Sequence, residues 1–307
     1  MKKIALIVLS LSFCFFVPLI SIEFFLRAIP NDFNEKSYYF HRNKEKIEVL
    51  ILGSSHTFVG VNPNLLKQPA FSLAYSSQTL DLDELIFDRV KNELPNLKTV
   101  IIPVSYFSYH LVLEDGTSHQ KIKNYNIYYN LYSNTHLISN SFEVFHQKPA
   151  KNWNEIQRFY QNPRFKVTID STGFISKRYV NTKLTWNEKV KNAVKSHSLP
   201  MYNPLIQQRM QENTAALTRM LDWCVERNIK VILLSSPADS SYVNQLEKHQ
   251  FEYWKNTTQR LSSMYNNVIW LNYLEDSSGF SREDFQDPDH LNEKGSQKLT
   301  QLINSNL

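Results

Sequence analysis

Ser55, Asp287 and His290 are the three side chains of this chain whose types add up to a reaction. A serine hydroxyl is a weak nucleophile until a base takes its proton, and an imidazole serves best as that base when a carboxylate fixes its tautomer and steadies its positive charge. The serine stands in Gly53-Ser54-Ser55-His56, directly after the apolar run 47–52, and the other two stand in Asp287-Pro288-Asp289-His290 near the C-terminus. A spacing of three lets one turn bring both side chains to the same side, with the carboxylate at one ring nitrogen and the serine at the other. His56 rivals His290 by its proximity to Ser55, but adjacent residues tend to point apart. Asp289 is expected at the surface or as a helix cap, and Ser55 and Asp287 taken singly have the same plain reading as caps.

For these residues to meet, the chain must bring its first strand beside its last helix. Apolar runs at 47–52, 70–75, 99–104, 230–235 and 268–271 read as strands. Between them lie helical stripes such as Leu82, Leu85, Ile86, Val90 and Leu94, or Ile206, Met210, Leu217, Leu221 and Cys224. Residues 244–265 and 292–303 read as two more helices. Strands alternating with helices point to an α/β fold, a parallel sheet of about five strands covered on both faces. Ligands of such sheets gather at the carboxyl ends of the strands. Ser55 follows the first strand, and Asp287 and His290 precede the last helix, so all three can share that rim.

The N-terminus is of another kind. Lys2 and Lys3 precede the uncharged stretch 4–22, which matches the roughly 20 residues of a bilayer span. Pro18 is tolerated in such a helix. A cleaved signal would want a shorter apolar core and small residues before the cleavage point, and bulky Phe13 stands where a lipidated Cys14 would want a small neighbour. The expectation is an anchor over 1–28, a polar juxtamembrane linker over 29–46, and an α/β domain over 47–307. The basic start keeps the N-terminus cytoplasmic and the body outside.

Residues 117–199 break the alternation and read as an insertion. It holds thirteen Lys or Arg against four Asp or Glu, in a chain whose formal net charge is only +5. Tyr125, Tyr128, Tyr129, Tyr132, Trp153, Phe159, Tyr160 and Trp186 also fall there. Such a segment suits gripping an anionic polymer, although most of the rings are expected to form its own small core. Nucleic acid is not an expected partner for a body outside the cell. The two cysteines, Cys14 and Cys224, lie too far apart in character to pair. The histidines are scattered without Cys or Asp at ligand spacing, so no metal and no cofactor is expected.

The two motifs, in this order and at these places, resemble the SGNH (GDSL-type) hydrolase superfamily. Ile51-Leu52-Gly53-Ser54-Ser55 corresponds to its first block and Asp287-Pro288-Asp289-His290-Leu291-Asn292 to its last. The resemblance implies a flavodoxin-like three-layer fold, with Ser55 as nucleophile, His290 as base and Asp287 as its partner. Two parts of the pattern are absent. Residues 71–77 hold no second-block glycine, and Ser105 stands near the place of the third-block asparagine. The candidate oxyanion donors are then Ser55, Ser76, Ser77 and Ser105. With the anchor, the chain is similar to divergent members serving cell-surface polysaccharide O-acetylation and D-alanine transfer. That likeness implies a serine acyltransferase or esterase acting on acyl groups, acetyl foremost, of a surface glycan, partnered by an integral membrane acyltransferase. The alternative is a catalytically weakened glycan-binding or assembly subunit.

Overall fold

A computed structural model describes residues 2–116, 118–131, 138–162, 167–175 and 183–307. The chain runs through α1 (Lys2–Arg27), α2 (Asp32–Asn43), β1 (Val49–Ile51), α3 (Ser55–Gly60), β2 (Ala70–Ser72), α4 (Leu80–Val90) and β3 (Thr99–Pro103). Next come α5 (Ile122–Tyr129), α6 (Pro149–Gln161), α7 (Trp186–His197) and α8 (Pro204–Glu226). It closes with β4 (Lys230–Ser235), α9 (Ser240–Val243), α10 (Lys248–Ser263), β5 (Val268–Asn272), β6 (Phe285–Asp287), β7 (His290–Leu291) and α11 (Glu293–Asn304).

Strands β1 to β5 form one parallel sheet in the order 2-1-3-4-5, the order of flavodoxin-like doubly wound folds. Val100, Ile101 and Ile102 of β3 and Val231 to Leu234 of β4 are fully buried. Continuous apolar runs of that kind are what a sheet covered on both faces requires. The α/β architecture, its five parallel strands and the separate apolar helix α1 all agree with the sequence expectation.

The chain divides into two compact units, residues 1–37 with 119–167, and residues 38–118 with 168–307. These limits differ from the expected ones. The supposed linker carries α2, within which the boundary falls, and 168–199 of the supposed insertion belongs to the α/β unit. In the smaller unit Tyr125 and Tyr129 are buried as expected of a core, whereas Trp153 and Tyr160 are exposed. Tyr132 lies outside the described residues. Helix α1 is long and apolar enough to cross a membrane, with a mean hydropathy of 2.5 over its most apolar stretch and none of that stretch buried.

One face of the sheet explains how the chain's ends meet. Val49, Ile51, Ile101, Ile232 and Leu234 share a buried cluster with Leu291, Leu299 and Ile303. Burying each such side chain away from water contributes about 2 kcal/mol. Helix α11 also packs on α3, where Leu299 and Leu291 lie against Gly60, and Thr300 Oγ1 accepts the Asn62 N–H at 3.0 Å. The C-terminal segment is thereby fixed beside the turn that follows β1.

Candidate active site

Gly53 makes the turn that presents Ser55. Its φ of +114° is closed to other residues, and a Cβ there would stand 1.9 Å from Pro103 Cγ. Below the turn, Thr57 Oγ1 donates to the Leu52 carbonyl at 2.8 Å. Ser54 caps α3, its hydroxyl accepting the His56 N–H at 3.4 Å. Across residues 49–61 every side chain is buried except that of Ser55, which is half-buried. The fold thus opens this one position to the surface.

His290 comes from the antiparallel pair β6–β7, which the sequence reading did not foresee. Asp287 Oδ1 accepts the backbone N–H of His290 at 2.9 Å and that of Asp289 at 3.3 Å. The same oxygen lies 2.8 Å from His290 Nδ1, and His290 Nε2 lies 2.8 Å from Ser55 Oγ. In the neutral ring carrying its proton on Nδ1, the imidazole donates to Asp287 and accepts from the serine hydroxyl. All three residues named from the sequence are therefore brought together in hydrogen-bonding range. Such a chain can move a proton from Oγ to Nε2 while the carboxylate steadies the ring.

Asp289 is not at the surface. It is buried, with Oδ1 3.5 Å from His290 Nδ1, and Oδ2 3.4 Å from His56 Nε2 and 3.8 Å from His197 Nδ1. His56 points away from Ser55 as expected, yet its ring centre lies only 5.2 Å from that of His290. It turns to Ser105 and Asp289 rather than to Ser55. Ser105 Oγ–H donates to His56 Nδ1 at 2.9 Å, and His56 Nε2–H faces Asp289. Phe107 stacks on His197 at 4.2 Å and meets His56 edge-on, and the Tyr242 hydroxyl is hydrogen-bonded to His197 Nδ1 at 2.8 Å.

Among the described residues, His56, Asp289 and His290 offer ligand atoms within 4.8 Å of one another, close enough to surround a metal ion. This corrects the reading of scattered histidines without acidic partners. The hydrogen bonds just described already engage every one of those ring nitrogens.

The charges sort these rings. Burial disfavours the charged form of His290, but the Asp289 carboxylate, followed by hydrogen bonds to Asp287 and Asp289, outweighs it and holds the ring well above the ordinary histidine range. Asp289 is also penalised by burial, and its partners, His290 first, keep it ionised well below the usual carboxylate range. Burial lowers His56, and drives His197 down to about 3. One imidazole of the group is thus poised to carry charge, and two are neutral spacers.

Among the expected oxyanion donors, Ser105 directs its hydroxyl at His56. Ser76 is exposed in the turn after β2, and Ser77 takes a left-handed backbone conformation, φ +67°. A cavity of about 610 Å³ lined by Tyr39, Arg42, Lys46, Lys67, Phe71 and Thr172 includes none of Ser55, Asp287 or His290. The sequence reading missed Asp289 and His197. The acidic neighbour of His290 was visible as a second Asp in Asp-Pro-Asp-His, whereas nothing local to His197 marks it.

No protein-family model matches the chain, and no curated protein matches it. Its structure is similar to a solved one described as "a putative platelet activating factor from Streptococcus pneumonia", over 98% of both chains, at 12% identity and a TM-score of 0.43. A score that low leaves the chemistry to be argued from this chain's own residues.

Proposed function

We propose that this chain is a membrane-anchored serine esterase or O-acyltransferase that works through an acyl-enzyme on Ser55. The observation that carries the reading is the run of 2.8 Å contacts from Ser55 Oγ through His290 to Asp287, made between residues 235 positions apart. Ser55 Oγ attacks an acyl carbonyl as its proton passes to His290 Nε2. The leaving alcohol departs with that proton, and water or a sugar hydroxyl then gives its own proton to His290 while attacking the acyl-enzyme; His290 returns that proton to Ser55 Oγ as the acyl–oxygen bond breaks. Asp287 holds the ring so that Nε2 faces the serine. Asp289 supplies a second, buried negative charge to the imidazolium, with His56 orienting it.

The finer parts of the reading come from the anchor and the family resemblance. Helix α1, with Lys2 and Lys3 at its start, favours a body outside the membrane, where acyl groups of a surface glycan are the fitting substrate, acetyl foremost. An integral membrane acyltransferase is the fitting supplier. The commitment of the Ser105 hydroxyl to His56 favours the weakened, glycan-binding alternative, because it removes one oxyanion donor.

The full chain, Ser55→Ala and His290→Ala are treated with a serine-reactive fluorophosphonate, and acetyl-ester hydrolysis is followed in parallel. Labelling and turnover by the parent, lost in both variants, support the reading. A parent that neither labels nor turns over supports the binding alternative.

A further inference from the structure

The smaller unit is fastened to α1 at one level of the helix. From residue 4 to residue 22 α1 carries no charge, and at 1.5 Å per residue those positions span about 28 Å, close to the hydrocarbon thickness of a bilayer. Glu23, the next residue, is buried. Its carboxylate accepts the backbone N–H groups of Glu143 at 3.1 Å and Val144 at 2.9 Å. One turn further on, Arg27 bonds Glu23 and donates from Nη2 to the Ser141 carbonyl at 2.8 Å. The Tyr160 ring meets Phe25 edge-on at 5.8 Å. Residues 141–160 are thus tied to the helix just where its uncharged stretch ends.

That segment bears an apolar surface without cover. Phe142, Phe145, Trp153 and Tyr160 are 37%, 50%, 53% and 54% exposed. On α6 the buried Asn152 and Ile156 face the unit's interior, and Trp153 and Tyr160, seven residues apart, share a neighbouring face. Lys151 and Arg158 project from roughly the opposite side and are exposed. Aromatic rings on one side of a helix and basic groups on the other suit the boundary between acyl chains and headgroups, where Trp and Tyr are enriched.

We propose that residues 141–160 form a membrane seat, lying in the headgroup layer of the bilayer that α1 crosses, with Phe142, Phe145, Trp153 and Tyr160 reaching the acyl boundary. The proposal rests on reading α1 as a spanning anchor. The partner is a lipid surface, and the Glu23 clasp sets the height at which the seat meets it.

The test reconstitutes the full chain and Trp153→Phe into phosphatidylcholine vesicles carrying a nitroxide quencher either high or low on the acyl chain. The difference between the two emission spectra isolates Trp153. It is expected to lose intensity with the shallow quencher and to lose less with the deep one. A difference spectrum untouched by the shallow quencher, in a chain that floats with vesicles and resists alkaline extraction, overturns the seat and leaves the anchor standing. A chain that alkali extracts overturns the anchor, and the seat with it.

Discussion

Asp289 shares His290 Nδ1 with Asp287, standing 3.5 Å from it on the buried side while Asp287 stands at 2.8 Å. Two carboxylates on one ring nitrogen bias the imidazole strongly toward its charged form. The base form that Ser55 needs is therefore reached only as pH climbs past the ordinary histidine value.

The activity of the parent should accordingly rise through alkaline pH, along a limb set by His290. The charged groups facing that ring are Asp287 and Asp289, with neutral His56 alongside. Asp289→Asn removes the carboxylate that does most to raise His290, so the limb should move to lower pH. The check is the pH profile of kcat/KM on an acetyl ester. A limb that stays in place would show Asp289 to be merely structural. Stability runs in the opposite direction. A ring whose folded pKa is raised contributes stability in full below its unfolded value, and that contribution fades as pH rises through the folded one.

How far the sequence revealed this arrangement depends on where each signal lies. Ser55, Asp287 and His290 were legible because a glycine turn after a strand and an Asp-x-x-His before a helix are local patterns, and the alternation of elements fixed their shared rim. Asp289 was misread because polar residues are mostly exposed, and only its burial among three imidazoles shows otherwise. Those imidazoles come from α3, α7 and β7, which no local spacing relates. The division into units was illegible for a similar reason. Glu23 reads as the end of an apolar run, and its two backbone partners are 120 and 121 residues away.

Ser77 should tolerate glycine and gain from it. Its φ of +67° costs a residue bearing a Cβ about 1–2 kcal/mol, and glycine escapes that cost at some expense in unfolded-state entropy. Ser77→Gly is expected to leave stability unchanged or raise it by up to about 1 kcal/mol, read as the urea midpoint. A loss above 1 kcal/mol would mean that the hydroxyl, which donates to Ser118 Oγ, outweighs the backbone.

Asp83 lies buried beneath the serine turn, with Gln78 Nε2 donating to it at 2.6 Å and the Gly53 backbone hydrogen-bonded to it. Burial pushes its carboxyl up to about 8, so it is neutral at pH 7. An acid with a raised folded pKa contributes stability that is complete at low pH and is lost as pH rises from the ordinary carboxylate range through about 8. Asp83→Asn keeps an acceptor for Gln78 and should flatten that decline, measured as urea midpoints between pH 6 and 9. Parallel declines in parent and variant would refute the assignment.

Gly53 ties fold to chemistry most tightly, because the residue that must be glycine stands two before the nucleophile. In Gly53→Ala the added Cβ would meet Pro103 Cγ at 1.9 Å, Pro103 Cδ at 2.6 Å and Thr57 Oγ1 at 2.7 Å, on a backbone already at positive φ. Neither the proline ring nor the threonine bonded to Leu52 can step aside alone, so β1 and β3 must part or the turn must rotate. Positive φ and overpacking together cost about 3 kcal/mol or more. Whatever fraction stays folded should show Ser55 displaced from His290. Thermal unfolding reads the first effect. Fluorophosphonate labelling per folded molecule reads the second, and normal labelling in a destabilised variant would separate the turn's stability from its role in aiming the serine.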